Sequence, residues 1–367
     1  SCDWSRLLFT LDDRVIKIVH DTFKQLEEDD LLYRGARIVN WCPKHQTSLS
    51  NLETKQDERK DPFYYIKYGP FTIGTVRPET KFGDKYVVMH PDDDRYKEYE
   101  HGQKIEVDWI NGPITATIIK DEASDPEMGT GVMTITPWHS GVDFEIAKRH
   151  GLEYEQIIDW RGKLLPIAQE FEGMNITEAR PKIVEKLKEK GLLEKVYEKY
   201  IHTVPKCYKC EREIEPKIKS QWFVSMKPLA EKALQAVDDK KVEFVTEAQE
   251  RVFRHWLTNI EDWNISRQIV WGIPIPAKIC TECDHGMVDL EDSITKCEKC
   301  DGKVKPDPDT FDTWFSSGQW PLATTDFPDG KDFKEFYPTA VMESGRDILF
   351  FWIACMIMLG LYRTVDV

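Results

Sequence analysis

Apolar side chains recur at helical spacing early in the chain. Within residues 12–35, Ile16, Val19, Phe23 and Leu26 fall on one face, and charged residues fill most other positions. A period near 3.6 residues is typical of a helix with one buried side. The pattern therefore predicts an amphipathic helix in this segment.

Alternation with a period of two dominates the next part of the chain, with β-branched or aromatic residues at every second position. The strand-like segments are residues 61–78, a hairpin at 104–124 about Asn111-Gly112, and residues 131–138. Helical spacing returns in residues 176–195. Together these patterns predict a mainly β domain, closed by helices, over residues 63–204.

Two other segments depart from this alternation. Residues 349–362 are an uninterrupted apolar run between Asp347 and Arg363. The run is shorter than the ~20 residues that a membrane-spanning helix needs, so we predict a buried helix and no membrane contact. Residues 53–62 carry many charges, and we predict an exposed linker there.

Composition and charge narrow the class of protein. The 367 residues are 41% hydrophobic and 31% charged, as in a folded chain of two or three domains. The net charge of −15 disfavours a protein that coats nucleic acid without specificity, but it is compatible with a local basic groove. No secretory leader opens the chain, so we expect a cytoplasmic protein that begins at an internal cut.

Nine cysteines in such a chain favour metal ligation over disulfides. Seven of them, with His45, form pairs at metal-ligand spacing, whereas Cys2 and Cys355 stand alone. The pairs are Cys42/His45, Cys207/Cys210, Cys280/Cys283 and Cys297/Cys300. The last two are joined by a short loop and predict a four-thiolate zinc ribbon within residues 276–305. A redox role for one pair is the alternative, which two pairs in tandem disfavour.

The two remaining pairs supply two ligands each. The simplest interpretation is one zinc site made of Cys42, His45, Cys207 and Cys210, which would turn the intervening chain into an insertion whose ends meet. The alternative is a buried thiol at Cys42 and a surface imidazole at His45.

A series of short motifs then occurs in the order in which valyl-tRNA synthetases carry them. They are CDWSR, YRGxxIVNWCP, VRPETxxGD, HPDDxRY, GTGxxxITPxHxxxDFExxKRHGL, SQWF, WxISRQxxWGxxIP, DTWFSSGxWP, FYPT and DIxFFWxxxMIM. The chain resembles this class I family over essentially its whole length. Isoleucyl-tRNA synthetases share the layout, but VRPET, ISRQ, DTWFSSG and FYPT have valyl character.

The resemblance implies an α/β fold with an insertion. A partial Rossmann-like class I catalytic domain would occupy residues 1–62, with the first zinc knuckle, and 205–367, with the second knuckle and the zinc ribbon. A mainly β (α+β) editing domain would occupy residues 63–204.

The resemblance also implies a function. The whole enzyme would be a valine–tRNA ligase that activates valine with ATP and magnesium and attaches it to tRNA(Val). The ATP-binding strings His-x-Gly-His and Lys-Met-Ser-Lys-Ser do not occur here, so we expect this chain not to form valyl-adenylate. A hydrophobic pocket rejects a near-isostere with a hydroxyl only weakly, so we expect the editing reaction, hydrolysis of threonyl-tRNA(Val).

Individual residues receive roles from the same motifs. In the editing domain Asp143 would hold the α-ammonium group of the substrate. The residues implied to line the pocket are Arg77, Thr80, Thr136 and His139. Structural alternatives are a helix cap at Asp143 and a plain strand residue at Thr136.

In the catalytic segments the resemblance places Trp314 in the wall around valine and makes Asp347 the partner of its ammonium group. The alternatives are a core aromatic residue and a helix N-cap, respectively. Arg267 could approach a nucleotide or tRNA, or pair with an acid, and we assign it no role.

The chain departs from the usual valyl pattern near the editing residues. Thr134 stands where relatives commonly carry a lysine, and Ser140 where they carry an aspartate. Val76 replaces a threonine and Met128 an aromatic residue. We expect the joint loss of the lysine and the aspartate to weaken recognition of the threonine hydroxyl.

The expected partners are the acceptor end of tRNA(Val), with valine or threonine as its aminoacyl group, and we expect a monomer with two zinc ions. Two other interpretations stay open. One is an isoleucyl-type synthetase fragment, and the other is a zinc-stabilised structural or tRNA-binding module without turnover.

Overall fold

The computed structural model describes residues 4–364 and 366, without the side chain of residue 52. Cys2 lies outside this part. The chain is a mixed α/β protein that divides into two compact units. The outer unit comprises Ser1–Ala36 and Ser220–Val367, and the inserted unit comprises Arg37–Lys219.

Helices and strands alternate irregularly along the described chain. The α-helices are α1 (Asp13–Glu28), α2 (Gly141–His150), α3 (Ile176–Glu189), α4 (Lys227–Asp238), α5 (Glu247–Thr258), α6 (Thr313–Ser317), α7 (Trp320–Thr324), α8 (Lys331–Phe336) and α9 (Cys355–Thr364). The strands are β1 (Leu32–Cys42), β2 (Thr47–Leu49), β3 (Thr54–Tyr68), β4 (Phe71–Thr75), β5 (Tyr86–Met89), β6 (Lys104–Trp109), β7 (Gly112–Lys120), β8 (Val132–Thr134), β9 (Leu193–Cys207), β10 (Glu215–Val224), β11 (Trp263–Asn264), β12 (Ser266–Arg267), β13 (Ala277–Cys280), β14 (Gly286–Val288), β15 (Val304–Pro306) and β16 (Thr310–Phe311).

Helix α1 confirms the first predicted element. Val19, Phe23 and Leu26 are fully buried in the core of the outer unit. Val15 is buried as well, whereas Ile16 lies at the edge of the buried face. The same core takes up apolar residues of α4, α5 and α9.

Short antiparallel pairings complete the outer unit. Strand β10 pairs with β11, and β12 pairs with β16. Strand β13 lies between β14 and β15, and this small sheet carries the second cysteine cluster.

The inserted unit is built on a four-stranded sheet in the order β6-β7-β5-β8. Strands β6 and β7 form the predicted hairpin, with Trp109 paired to Gly112 across the turn. Strand β5 runs parallel to β7 and antiparallel to β8. Ile183 and Leu187 of the predicted helix α3 are fully buried in the core of this unit, which confirms its apolar face.

Strands β3 and β9 form a long antiparallel ribbon, with pairing from Thr54–Cys207 to Ile66–Leu193. The linker predicted at residues 53–62 is therefore wrong. Charged residues of this segment form ion pairs with residues of the opposite strand. Asp57 contacts Lys206 at 2.5 Å, and Asp61 contacts His202 at 2.7 Å. Cross-strand pairs of opposite charge stabilise a sheet that has little apolar surface.

The inserted unit is wider than the domain predicted at 63–204. It also contains β1 from residue 37 onward, β2, the whole ribbon and the start of β10. The narrower boundaries, and the editing role of this domain, stay predictions.

The apolar run near the C-terminus is helical and buried, as predicted. A continuous helical segment, Arg346–Thr364, combines a 3₁₀ turn, a π turn and α9. At 19 residues and a mean hydropathy of 1.5 it is longer than predicted and could span a membrane by length and composition alone. However, 56% of its most apolar window is buried inside the structure, as expected for a core helix.

Candidate functional site

The first cysteine cluster lies where the ribbon begins. Cys42 ends β1, His45 follows in the turn to β2, Cys207 ends β9 and Cys210 follows it. Pairing of Thr54 with Cys207 brings the two knuckles together. Cys42 Sγ lies 3.5 Å from His45 Nδ1 and 3.6 Å from Cys210 Sγ, and Cys207 Sγ lies 3.6 Å from the same nitrogen.

The second cluster lies in the β13-β14-β15 sheet. Cys280 Sγ is 3.5 Å from Cys300 Sγ, and Cys283 Sγ is 3.7 Å from Cys297 Sγ and 3.4 Å from Cys300 Sγ. The eight predicted metal ligands thus form two sets of four, each with all donor atoms within 4.8 Å of one another.

Both sets fit one tetrahedral ion each. Thiolates that each lie ~2.3 Å from a central Zn²⁺ are ~3.8 Å apart, and a thiolate and an imidazole nitrogen are slightly closer. The measured separations of 3.4 to 3.7 Å match this geometry and greatly exceed a disulfide bond. The thiols are free, so each set can bind zinc.

A buried acidic cluster lies beside strand β8 in the inserted unit. The Asp143 carboxylate accepts a hydrogen bond from the Thr136 backbone N–H at 2.7 Å. Lys81 donates to Thr134 Oγ1 at 3.0 Å, and its Nζ lies 3.3 Å from Asp84 Oδ2. All five side chains are buried.

The backbone holds this acidic cluster in place. Trp109 Nε1 donates to the Lys81 carbonyl at 2.7 Å, and the Tyr68 hydroxyl donates to the Asp84 carbonyl at 2.8 Å. Between them, Gly83 approaches a neighbouring side chain closely, because a Cβ there would lie 2.6 Å from Ile157 Cδ1. These two hydrogen bonds and the close packing at Gly83 therefore fix the backbone of Lys81 and Asp84.

Burial dominates the electrostatics of the acidic cluster. It raises the pKa of Asp84 to about 6, against the opposing effect of the Lys81 ammonium group. Burial also raises the pKa of Asp143, which the Thr136 N–H and Lys81 partly offset. With both carboxylates ionised, two negative charges face one positive charge, so the cluster attracts a further cation.

A second, mainly basic cluster lies near the first. Arg77 makes a bidentate ion pair with Glu215, at 2.7 and 2.9 Å, and a 3.1 Å contact with Glu79. Arg180 also binds Glu79, at 2.8 and 2.9 Å. Both glutamates are buried, whereas the Arg77 side chain keeps 25% of its surface exposed.

His139 and Lys217 complete the basic cluster. The Nε2 atom of His139 accepts hydrogen bonds from the backbone N–H groups of Ile157 and Ile158, at 3.2 and 3.3 Å. Burial, Lys217 and Arg77 lower the pKa of His139 well below its usual value, so the ring is neutral. Because Nε2 accepts these hydrogen bonds, the proton of the ring is on Nδ1. Lys217 donates to the Ile158 carbonyl at 2.5 Å, and burial lowers its pKa to about 8.

The five residues predicted for the editing pocket all lie in the inserted unit. Asp143 and Thr136 contact each other directly, while Arg77 and His139 both approach Glu215, His139 at 3.9 Å. Thr80 Oγ1 donates to the Arg77 carbonyl at 3.0 Å. The segment from Thr134 to Asp143 contributes side chains to both clusters.

Sequence reasoning missed six charged members of these clusters. They are Glu79, Lys81, Asp84, Arg180, Glu215 and Lys217. Glu79 and Asp84 are fixed positions of the VRPETxxGD motif, which is the only signal that could have indicated them. The others carried no signal, because the local sequence does not show whether a charged side chain is buried.

The residues predicted to bind valine lie in the outer unit. Trp314 stacks on Phe351, with ring centroids 5.2 Å apart, and is half-buried. Asp347 is exposed in the 3₁₀ turn Arg346–Ile348, whose N-cap is Gly345, so the N-cap alternative for Asp347 is wrong. Arg267 is buried and pairs with Asp312 at 2.7 Å, so of its two alternatives the acid pair is present.

The family model for class I tRNA synthetases (I, L, M and V) matches residues 1–366. The chain belongs to this family. It is 44% identical over 98% of its length to the valine–tRNA ligase of Carboxydothermus hydrogenoformans, and 42% identical over 98% to that of Thermotoga maritima. The chain spans 42% of the length of each of these relatives.

Among solved structures, the LeuRS–tRNA–LeuAMS ternary complex of Agrobacterium radiobacter K84 matches 88% of this chain and 45% of its own chain, at 16% identity. The TM-score is 0.30, so the family assignment rests on the sequence matches.

Proposed function

We propose that this chain is the part of a valine–tRNA ligase that removes misattached threonine from tRNA(Val). The observation that carries the proposal is the buried acidic cluster around Asp143, which lies in the motif shared with the valyl family and has an excess negative charge. The substrate ester presents one positively charged α-ammonium group, which is the charge that this cluster lacks.

The reaction needs no nucleophilic side chain. A water oxygen adds to the ester carbonyl carbon, the bond from that carbon to the ribose oxygen breaks, and the ribose oxygen takes up a proton. The products are threonine and uncharged tRNA. The protein contributes by holding the ammonium group, and so the ester, in one position.

The basic cluster suits the tRNA end of the substrate. Three cationic side chains, Arg77, Arg180 and Lys217, face two carboxylates, so the net charge is positive when all are ionised. The partly exposed side chain of Arg77 would contact a phosphate or the terminal adenosine. Thr80 and His139 fix the Arg77 segment and the 157–158 backbone, and so would support the pocket.

Each cysteine cluster would hold one structural zinc ion. The four ligands of each set leave no open position, which is typical of structural sites and not of catalytic ones. The site at Cys42 and Cys207 would hold together the two ends of the inserted unit.

The outer unit would belong to the Rossmann-like catalytic domain. In the whole enzyme this domain would activate valine with ATP and magnesium and charge tRNA(Val), with Trp314 and Asp347 contacting the amino acid. We further propose that the protein is a cytoplasmic monomer. An isoleucyl-type enzyme would instead cleave valyl-tRNA(Ile).

The test is an ester-hydrolysis assay with the 367-residue chain. It is incubated separately with threonyl-tRNA(Val), valyl-tRNA(Val) and valyl-tRNA(Ile), and released amino acid is measured against a protein-free reaction. Selective release of threonine supports the proposal. Selective release of valine from valyl-tRNA(Ile) would show that the chain has the isoleucyl editing reaction instead. If no amino acid is released from any ester, the chain is a binding or structural module without turnover.

A further inference from the structure

Two carboxylates from different segments of the inserted unit hold the guanidinium group of Arg77. Its Nε donates to Glu79 Oε1 at 3.1 Å, and its Nη2 donates to both carboxylate oxygens of Glu215, at 2.7 and 2.9 Å. Within the described part of the chain, no group accepts a hydrogen bond from its Nη1. The planar group is therefore fixed at two nitrogens, and the N–H groups of the third are left for a ligand.

Glu215 contributes more to this orientation than Glu79 does. The Glu79 carboxylate is shared, because it also accepts from Arg180 at 2.8 and 2.9 Å. Burial alone would lower the pKa of Arg77, but the negative charges of Glu215 and Glu79 outweigh it, Glu215 first, and raise that pKa. Arg77 thus stays charged in a buried setting, and its direction depends mainly on Glu215.

The surroundings of Glu215 make Arg77 its main partner. His139 Nδ1 lies 3.9 Å from Glu215 Oε2, which is too far for a hydrogen bond. Lys217, on the same strand, donates to the Ile158 carbonyl at 2.5 Å. The Glu215 side chain is only 4% exposed, so little water can take the place of Arg77. A change at Glu215 should therefore act chiefly through Arg77.

We propose that Glu215 is a positioning residue of the hydrolytic site, which orients Arg77 toward the terminal nucleotide of the tRNA. Glu215 itself would not contact the substrate. The inference rests on the proposed function and gives strand β10, which lies outside the predicted 63–204 domain, a part in binding the tRNA end.

This role should affect binding and not the chemical step. The terminal nucleotide carries the same charge in the bound ester and in the transition state, so an interaction with it stabilises both equally. Loss of such an interaction raises KM and leaves kcat nearly unchanged. Loss of folded protein would instead lower the apparent kcat.

The test measures KM and kcat of the 367-residue chain for threonyl-tRNA(Val), together with the melting temperature. Glu215→Gln removes the orienting charge at nearly constant size, and Glu215→Asp keeps the charge but draws it back by one methylene group. We expect each to raise KM about tenfold and to keep kcat within about twofold, because a charge-assisted contact is weakened. Glu213→Gln, at a nearby glutamate that pairs with Arg59, is the matched control and should keep both constants.

A double-mutant cycle shows whether Glu215 acts through Arg77. Arg77→Gln should raise KM by about 10- to 100-fold. Adding Glu215→Gln should raise KM no further, because the residue to be positioned is gone. If Glu215→Gln alone does not fold, Glu215→Asp replaces it in the cycle.

Two results would overturn the inference. One is a wild-type KM in the folded Glu215 variants, and the other is a double variant in which the two increases in KM multiply. A wild-type chain that releases no threonine would overturn the proposed function instead.

Discussion

The carboxylate of Asp143 and the backbone N–H of Thr136 are joined by a 2.7 Å hydrogen bond inside the inserted unit. This bond fixes the orientation of the carboxylate and also ties helix α2 to the end of β8. Asp143 therefore has a structural contact in addition to its proposed role in binding, and an experiment has to separate the two.

Asp143→Asn separates them. The amide oxygen still accepts from Thr136, so the free energy of unfolding should change little, but the negative charge is gone. Loss of a charge-assisted bond worth roughly 1.5 to 3 kcal/mol should slow threonyl-tRNA(Val) hydrolysis by about one to two orders of magnitude. Released threonine and the melting temperature are measured together.

The matched control for this substitution is Asp289→Asn. Asp289 is another buried aspartate that accepts from backbone N–H groups, those of Ser293 and Ile294, but it lies in the outer unit. Its variant should hydrolyse the ester at the wild-type rate. A stably folded Asp143→Asn protein with unchanged hydrolysis would remove Asp143 from the site.

Zinc content tests the two cysteine clusters. Elemental analysis should give two equivalents per chain, and Cys42→Ser or Cys283→Ser should each lower the count to one, because each cluster has four ligands and no spare donor. Cys355→Ala should keep two equivalents, since that buried thiol belongs to neither cluster. A count of one in the wild type, unaltered by Cys42→Ser, would show that the split site holds no metal.

Stability should depend on Glu79 more than on most acidic residues. Its fully buried carboxylate binds both Arg77 and Arg180. Glu79→Gln leaves two guanidinium groups without this partner, and breaking such a buried pair should cost about 3 to 5 kcal/mol in urea unfolding. Glu170→Gln, in an exposed pair with Lys186, should cost less than about 1 kcal/mol. Equal effects at both sites would contradict the burial of Glu79.

Lys217 should make stability rise with pH under alkaline conditions. Its pKa is about 8 in the folded protein and near 10.5 when the chain is unfolded, so between these values the unfolded state binds more protons. Stability attributable to Lys217 is therefore lost as pH falls from 10.5 to 8 and stays low below pH 8. The shift corresponds to roughly 3 kcal/mol.

Lys217→Met should abolish this increase. The difference in unfolding free energy between wild type and variant should shrink or change sign from pH 10.5 to pH 8. If the unfolding free energies of the two proteins change in parallel with pH across that range, the pKa of Lys217 is not lowered in the folded state.

The metal ligands could be predicted from sequence because each pair is a local pattern. Cys280/Cys283 and Cys297/Cys300 needed only their spacing, and pairing Cys42/His45 with Cys207/Cys210 needed only the observation that each pair was incomplete. Lys217 and Glu215 could not be predicted in the same way. They belong to β10, outside the predicted 63–204 domain, and reach the basic cluster through tertiary packing.

The linker prediction for the segment that forms strand β3 of the ribbon was wrong for a different reason. Segment 53–62 is rich in charged residues and lacks apolar ones, a composition that predicts an exposed linker. Cross-strand ion pairs such as Asp57–Lys206 depend on the register between two segments far apart in sequence. A one-strand pattern contains no information about that partner.

The pairing of Thr54 with Cys207 also brings together two segments that lie near the beginning and the end of the inserted unit in sequence. The first cysteine cluster lies at the same point. A metal bound there would act as a cross-link that closes a loop of well over one hundred residues, which by chain-entropy arguments restricts the unfolded chain by roughly 5 kcal/mol. The first and last parts of the unit would then stay together even while the rest of its chain is unfolded.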